Sequence, residues 1–456
     1  MRADRSRLPD VGPDPAFRFP RIVRHALANG LAVRTIEHHT VPVVSCVLQV
    51  LGGAGADPQG KEGLAAITAD MVDEGTGALS AIDVSERFAR IGAEYGVEVG
   101  ADATVFSVTA LSRFAEQAMA LLSDIVIRPS LRRDDFDRVR QLRLDRLRQL
   151  KDLPPAVAER AFLRLMYGDH PYGHLPIGTD AALRALPLDE VEAFHAGRFR
   201  PARATLVLAG PMSHDGLRAI AEAAFSEWAG DVAAAEPAFA REIEPGTRPP
   251  NLAVIARAGA AQSELRIGHL SARRSTPDYP ALLVMNAVLG GQFVSRINLR
   301  LREEKGYTYG ARTGFDWRRG VAPFSLQASV HTAATAEAIR DSLAELDAIR
   351  GARPPTDNEM ALAKASLTRG YPRNFETAPH VARSVAQLAL YDLPDTYFEE
   401  FIPRVNAVGS DDVLRVAKQY VDPARAVTLV VGDHQVIADS LRGLGLGDPA
   451  LLPSEV

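Results

Sequence analysis

The sequence predicts an α+β fold made of two similar halves, and three observations carry that reading. Pro201–Gly210 (PARATLVLAG) and Pro423–Gly432 (PARAVTLVVG) align without gaps at an offset of 222 residues (423 minus 201), about half of the 456-residue chain. Internal repeats of that length mark architecture. Groups of strand-like segments alternate with groups of helix-like segments in each half, the pattern of mostly antiparallel sheets covered by helices. Between the halves, Gly230–Pro250 (GDVAAAEPAFAREIEPGTRPP) is rich in Pro, Ala and charge and poor in periodic apolar residues, as a linker is. The domain organisation read from this is 1–229, a linker at 230–250, and 251–456.

Each half repeats one order of elements. A strand pair comes first, at Leu31–Ile36 and Val43–Leu51, then again at Leu252–Ala256 and Glu264–Leu270; these are apolar runs bounded by turn residues. A helix follows at Gly63–Glu74 and at Tyr279–Leu289, then strands within Tyr95–Leu111 and Tyr307–Val330. Longer helices complete the halves: Arg113–Ile127, Asp134–Leu150 and Pro155–Met166 in the first, Ala336–Ile349 and Thr356–Arg369 in the second. The two copies of the repeat supply a final buried strand ending on glycine. The stretch Arg132–Lys151 carries eight basic residues among four acidic ones. It reads as a solvated helix face, with Phe136, Val139, Leu142 and Leu147 turned inward.

Composition excludes several functions. A net charge of −5 argues against bulk attraction to nucleic acid or anionic lipid, and the interleaved Asp residues of the basic helix argue the same. No apolar run approaches a membrane span. The first twenty residues lack an apolar h-region, which leaves the cytoplasm, or the bacterial periplasm if an export signal has been removed. The single cysteine, Cys46, sits in an apolar run with no cationic neighbour and reads as buried and inert.

The eleven histidines offer no metal site by spacing. His38 and His39 read as surface residues. His170 and His174 have Pro171 and Gly173 between them, which rules out one helical face. Glu192 and His195 form a single E-x-x-H without the second copy that a di-iron bundle needs.

The most informative stretch is Gly290–Tyr309, GGQFVSRINLRLREEKGYTY. A short amphipathic helix is expected to stop at Gly306, with a strand leaving from Tyr307. Arg302 then lies near the helix end and Tyr309 on the strand. A guanidinium and a phenol so placed can hydrogen-bond a peptide carbonyl and the oxyanion that develops from it. On spacing alone the plainer reading, a capped helix running into a strand edge, is the better one. The order GG, SR, LRE-x-KG-x-x-Y, however, resembles the C-terminal-half motif of the insulinase/pitrilysin (M16) zinc peptidase family in its short two-domain bacterial form.

That resemblance calls for H-x-x-E-H in the first half, within a frame like G-L-A-H-x-x-E-H-M-x-x-x-G-T. Here Gly63–Thr76 reads GLAAITADMVDEGT: the frame stands, and the chemical positions are Ala66, Ala69 and Asp70. Two histidines one turn apart hold zinc, and a Glu on the same face takes a proton from the bound water. Alanine supplies neither a lone pair nor a base. The family's last ligand, a later helical Glu, falls at Arg146, or at Asp145 if the register slips by one. DHPYG also resembles a structural loop of the family.

The resemblance covers essentially the whole chain. It implies two homologous domains in a clam-like half chamber, and a chain of the type that pairs with an H-x-x-E-H homologue. In that arrangement this chain holds no cofactor, the partner holds zinc, and Arg302 and Tyr309 reach the partner's zinc site to position the scissile carbonyl of an unfolded peptide. The expectation is a non-catalytic subunit of a heterodimeric zinc endopeptidase, inactive alone. The alternatives are a scaffold in a larger complex, or a homodimer that binds peptides without cutting them.

Overall fold

The computed structural model describes residues 17–230 and 249–453; most of the expected linker, 231–248, lies outside the described residues. The strands are β1 (Ile22–Ala26), β2 (Ala32–Glu37), β3 (Val43–Leu51), β4 (Gly75–Thr76), β5 (Leu79–Ser80), β6 (Glu94–Val99), β7 (Ala103–Leu111) and β8 (Ala204–Gly210) in the first half. In the second they are β9 (Leu252–Ala256), β10 (Gln262–Leu270), β11 (Thr308–Phe315), β12 (Pro323–His331), β13 (Val427–Gly432) and β14 (Ala450–Leu452). They form two six-stranded sheets, β1-β2-β8-β3-β7-β6 and β14-β9-β13-β10-β12-β11, besides the small β4-β5 hairpin. The predicted α+β architecture is therefore present, with two six-stranded sheets covered by helices.

The repeat noticed in the sequence has a structural meaning. Each copy folds as a short 3₁₀ turn, Pro201–Arg203 or Pro423–Arg425, leading into β8 or β13. β8 lies between β2 (parallel) and β3 (antiparallel). β13 takes the same place between β9 (parallel) and β10 (antiparallel). Five strands of each sheet thus correspond in order. Only the outer edge differs: β1 runs antiparallel to β2, whereas β14 runs parallel to β9.

The central strands of both sheets are buried on both faces, which is why β3, β8, β9 and β13 read as continuous apolar runs. On β3 and β8, Cys46, Leu48, Val50, Leu206 and Leu208 pack with the first half's own helices. The alternating residues Val47, Val207 and Ala209 join the second half's core instead. What covers that face is the helix Ala378–Leu390. In return, the first-half helix Pro154–Tyr167 lies on β10 and β13. Its Val157, Ala161 and Phe162 pack with Ala253, Ile255, Leu429 and Val431. The two halves therefore exchange helices that occupy matching places in the repeat.

Polar contacts reinforce the exchange. The buried Arg318, next to β11, donates to the carbonyl of Tyr172 at 3.0 Å and lies over the rings of Tyr167 and Tyr172. The amide of Arg319 donates to Asp102 at 2.9 Å.

Two local expectations are corrected. His38 is buried, at 7% exposure, where its amide extends the β2–β8 pairing by donating to the Gly210 carbonyl at 2.7 Å; His39 is exposed. On the long helix Arg133–Leu150 the inward residues are Phe136, Val139, Leu144 and Leu147, while Leu142 is 57% exposed. Leu144 is eight positions from Phe136, close to two full turns plus a fraction, and so shares its side of the helix.

Candidate functional site

The segment that matches the zinc motif frame forms the helix Leu64–Val72. Its start is fixed by Gly63, whose φ of +102° suits glycine, and by the buried carboxylate of Asp57. That carboxylate accepts from the amides of Gly63 and Ala65, both at 2.7 Å. It also meets His174 Nε2 at 2.9 Å. His174 is thus spent on anchoring the helix, and His170 Nδ1 accepts from the amide of Tyr172 within its own loop. His195 Nε2 donates to the carbonyl of Val126 at 2.8 Å, and burial pulls its pKa below the usual value. Each of the three rings is thus engaged in a hydrogen bond within the fold.

Ala66 and Ala69 are buried methyl groups, 2% and 0% exposed. Asp70 points into a cleft of about 410 Å³ also lined by Asp73, Glu74, Leu142, Arg143 and Arg146. The group that meets Asp70 is Arg143, whose Nε donates to its carboxylate at 2.7 Å. Arg146 lines the same cleft and is hydrogen-bonded to Gln149 at 3.2 Å; Asp145 pairs instead with Gln141 and Arg148. Sequence reasoning put the last ligand position at Arg146, or Asp145 with a one-residue slip, and missed Arg143. The signal was available: Arg143 is four residues from both Val139 and Leu147, so it sits in the middle of the apolar stripe. A largely buried guanidinium needs a carboxylate partner.

The residues of this cleft do not fit zinc. A catalytic site needs three donors and an open position. Two of the motif positions are methyl groups, and the third is a carboxylate already neutralised by a guanidinium that would repel a dication. Among the described residues, no group of three or more His, Cys, Asp or Glu side chains is placed to hold a metal. Within the cleft, burial first and then the neighbouring Glu74 push the Asp73 carboxyl up to about 6.

The Gly290–Tyr309 stretch is built with care in the other half. Gly290 and Gly291 let the chain after the helix Tyr279–Leu289 press against its neighbours. A Cβ on Gly290 would meet the backbone nitrogen of Thr313 at 2.7 Å, and one on Gly291 would meet the Asn286 carbonyl at 3.0 Å. Arg296, 7% exposed, is spent on structure: it forms two hydrogen bonds with Glu359 at 2.6 and 2.7 Å and donates to the carbonyls of Arg353 and Pro354. The helical turn Arg296–Asn298 continues as a π-helix, Leu299–Glu304, a form often found at functional sites. Gly306 ends it with φ +63°.

Arg302 lies on that π-helix with its guanidinium 4.2 Å from the centre of the Phe293 ring. Its Nε is 3.5 Å from Glu303, and Nη1 is buried without a hydrogen-bond partner among the described residues. Tyr309 is on β11, where the pairing with β12 slips between Thr308 and Ala311. Thr308 faces Val330 and Ala311 faces Ala328, so Tyr309 and Gly310 together oppose Ser329 alone. Such a bulge re-aims a side chain, and Tyr309 is 87% exposed. Phe293 and Val294 beside Arg302 are also exposed, at 64% and 49%.

Comparison with known proteins identifies the family and the fold. The family model described as "Insulinase (Peptidase family M16)" matches residues 32–180, and that described as "Peptidase M16 inactive domain" matches 185–367. The chain is 25% identical over 438 residues to an uncharacterized zinc protease of Mycobacterium tuberculosis (strain ATCC 25618 / H37Rv), covering 92% of this chain and 95% of that protein. It is 22% identical to the uncharacterized zinc protease YmxG of Bacillus subtilis, covering 90% and 98%. Among solved structures, the peptidase M16 inactive domain from Pseudomonas fluorescens superposes with a TM-score of 0.83 at 23% identity, covering 90% of this chain and 98% of that one. A protease from Helicobacter pylori gives 0.82 at 19% identity, covering 91% and 100%. With both family models matched in chain order and the fold shared, the chain belongs to the M16 (insulinase) peptidase family.

Proposed function

We propose that this chain is the non-catalytic subunit of a heterodimeric zinc endopeptidase. It would pair with a homologous M16 chain that carries H-x-x-E-H and the zinc, and contribute Arg302 and Tyr309 to the handling of an unfolded peptide. The observation that carries the reading is a contrast within one molecule. In the cleft at the motif helix Asp70 is paired with Arg143 rather than grouped with further donors, while a β-bulge leaves the Tyr309 phenol exposed to solvent.

The exposed phenol and a guanidinium held over an aromatic ring suit contact with a substrate carbonyl rather than internal packing. In the assembled pair, Arg302 and Tyr309 donate hydrogen bonds to the scissile carbonyl oxygen as negative charge gathers on it. Loss of one such donor typically costs about 2.7–4 kcal/mol of transition-state stabilisation.

The test is zinc content and cleavage of an unstructured peptide by the purified chain, alone and mixed with a homologous H-x-x-E-H chain. The expected outcome is no zinc and no cleavage alone, with activity on mixing. Chelator-sensitive cleavage by the isolated chain would overturn the proposal. Inactivity in both conditions would favour a scaffold or a peptide-binding protein.

A further inference from the structure

Resting on the reading that Arg302 and Tyr309 meet a substrate, we propose that Asn298 is the positioning residue that sets both of them. Asn298 is 4% exposed and stands in the turn just before the π-helix. Its side-chain amide is used at both ends. Nδ2 donates to the carbonyl of Phe293 at 2.6 Å, and Oδ1 accepts from the backbone amide of Ala311 at 3.0 Å.

These two partners are the supports of the two groups in question. The Phe293 ring is the surface on which the Arg302 guanidinium rests. Ala311 is the residue at which β11 returns to register after the bulge that carries Tyr309. One planar amide therefore ties the platform under the cation to the exit of the bulge, fixing the first relative to the second.

The other side of the bulge is held independently. The Thr308 hydroxyl accepts from the amide of Gly310 at 3.1 Å and lies 2.7 Å from the carbonyl of Ser329. Thr308 thus shapes the bulge from within, and Asn298 places it against the helix.

The chemistry demanded of position 298 is narrow. The residue must donate to a carbonyl and accept from an amide across a short, buried gap. Aspartate keeps the acceptor and loses the donor. Leucine, of similar size, keeps neither. A misplacement of about 1 Å at a reacting centre can cost roughly 100-fold in rate. Asn298 touches no substrate in this scheme and acts only through Arg302 and Tyr309.

The experiment uses this chain assembled with a zinc-loaded homologous H-x-x-E-H chain and an unstructured peptide, comparing Asn298→Asp and Asn298→Leu with Arg302→Ala and Tyr309→Phe. The expected result is a fall in kcat of roughly 10- to 100-fold for Asn298→Leu with KM little changed, and a smaller fall for Asn298→Asp. Amide hydrogen exchange in the isolated chain supplies a readout independent of turnover. Exchange at Ala311 should accelerate in Asn298→Leu and stay near the parent rate in Asn298→Asp. Should Asn298→Leu fail to fold, Asn298→Asp carries the kinetic comparison alone.

If Arg302→Ala and Tyr309→Phe depress turnover while both Asn298 variants leave kcat within about twofold, the positioning role is overturned and the subunit reading stands. If none of the four variants moves turnover, the subunit reading fails and the role of Asn298 falls with it.

Discussion

At Asp70, on the helix Leu64–Val72, a half-exposed carboxylate is met by the Arg143 guanidinium from the helix Arg133–Leu150. This ion pair has consequences for individual residues. Arg143→Ala removes the cation from a partly buried pair, and a loss of about 1–2 kcal/mol in urea-unfolding stability is expected. Tyr309→Phe should leave that stability unchanged, since the phenol is exposed, while lowering turnover of the assembled pair roughly 100-fold or more. Asp73 gives a test with a defined sign. Its folded carboxyl is raised from the ordinary value near 3.8 to about 6, so the folded state binds its proton more tightly than the unfolded state. Its contribution to stability is fully present below about 3.8 and is lost as pH rises through about 6. Asp73→Asn should therefore stabilise the protein at pH 7, by up to about 3 kcal/mol, and flatten the pH dependence between those values. An unchanged midpoint at pH 7 would contradict the burial argument.

At the scale of elements, the same local chemistry that starts a helix also locks the Gly290–Tyr309 stretch in place. Glu359 closes a capping box with Thr356 at the start of the helix Asp357–Thr368, and its carboxylate is the partner of Arg296. The Arg296 hydrogen bonds, with help from Thr356, hold the Glu359 carboxyl down at about 2 against an ordinary 4.5. A depressed folded value means stability present above about 4.5 and lost as pH falls toward about 2. Glu359→Gln should remove that acid-side slope while leaving the cap partly intact, read by thermal unfolding between pH 5 and pH 2. Most elements were legible because their signals are local. Val43–Leu51, Leu252–Ala256 and Tyr279–Leu289 appear with the boundaries that apolar runs and flanking turn residues indicate. The stop at Gly306 is equally local. What sequence did not disclose was long-range: the bulge at Tyr309 depends on which residues of β12 lie opposite. The π-helical winding at Leu299–Glu304 likewise has no pattern of its own. The Asp70–Arg143 pair fell between the two cases. Its helical phase was readable, but the family register drew attention to Arg146 one turn away.

Across the whole molecule, the duplication predicts two domains, yet neither sheet is covered by its own half alone. Ile36, Val47, Val207 and Ala209 of the first sheet pack in the core of the second half, beneath Ala378–Leu390. Ala253, Ile255, Leu429 and Val431 of the second sheet are covered by Pro154–Tyr167. Buried apolar area contributes about 25 cal/mol per Å², so separating the halves would uncover one face of the central strands of each sheet. The repeat of 222 residues made the matching positions of the two helices visible, but the sheet each one covers is a property of chain crossing that periodicity does not encode. The consequence is testable with two co-expressed fragments, 1–230 and 249–456, divided at the expected linker. They should assemble into one particle that elutes with the intact chain and unfolds in a single transition. Fragment 1–230 expressed alone should aggregate or bind a hydrophobic dye, because the face left by Ala378–Leu390 is open. Were it to fold as a soluble monomer of native stability, the exchanged helices would be a surface decoration, and the halves would be independent domains joined by a linker.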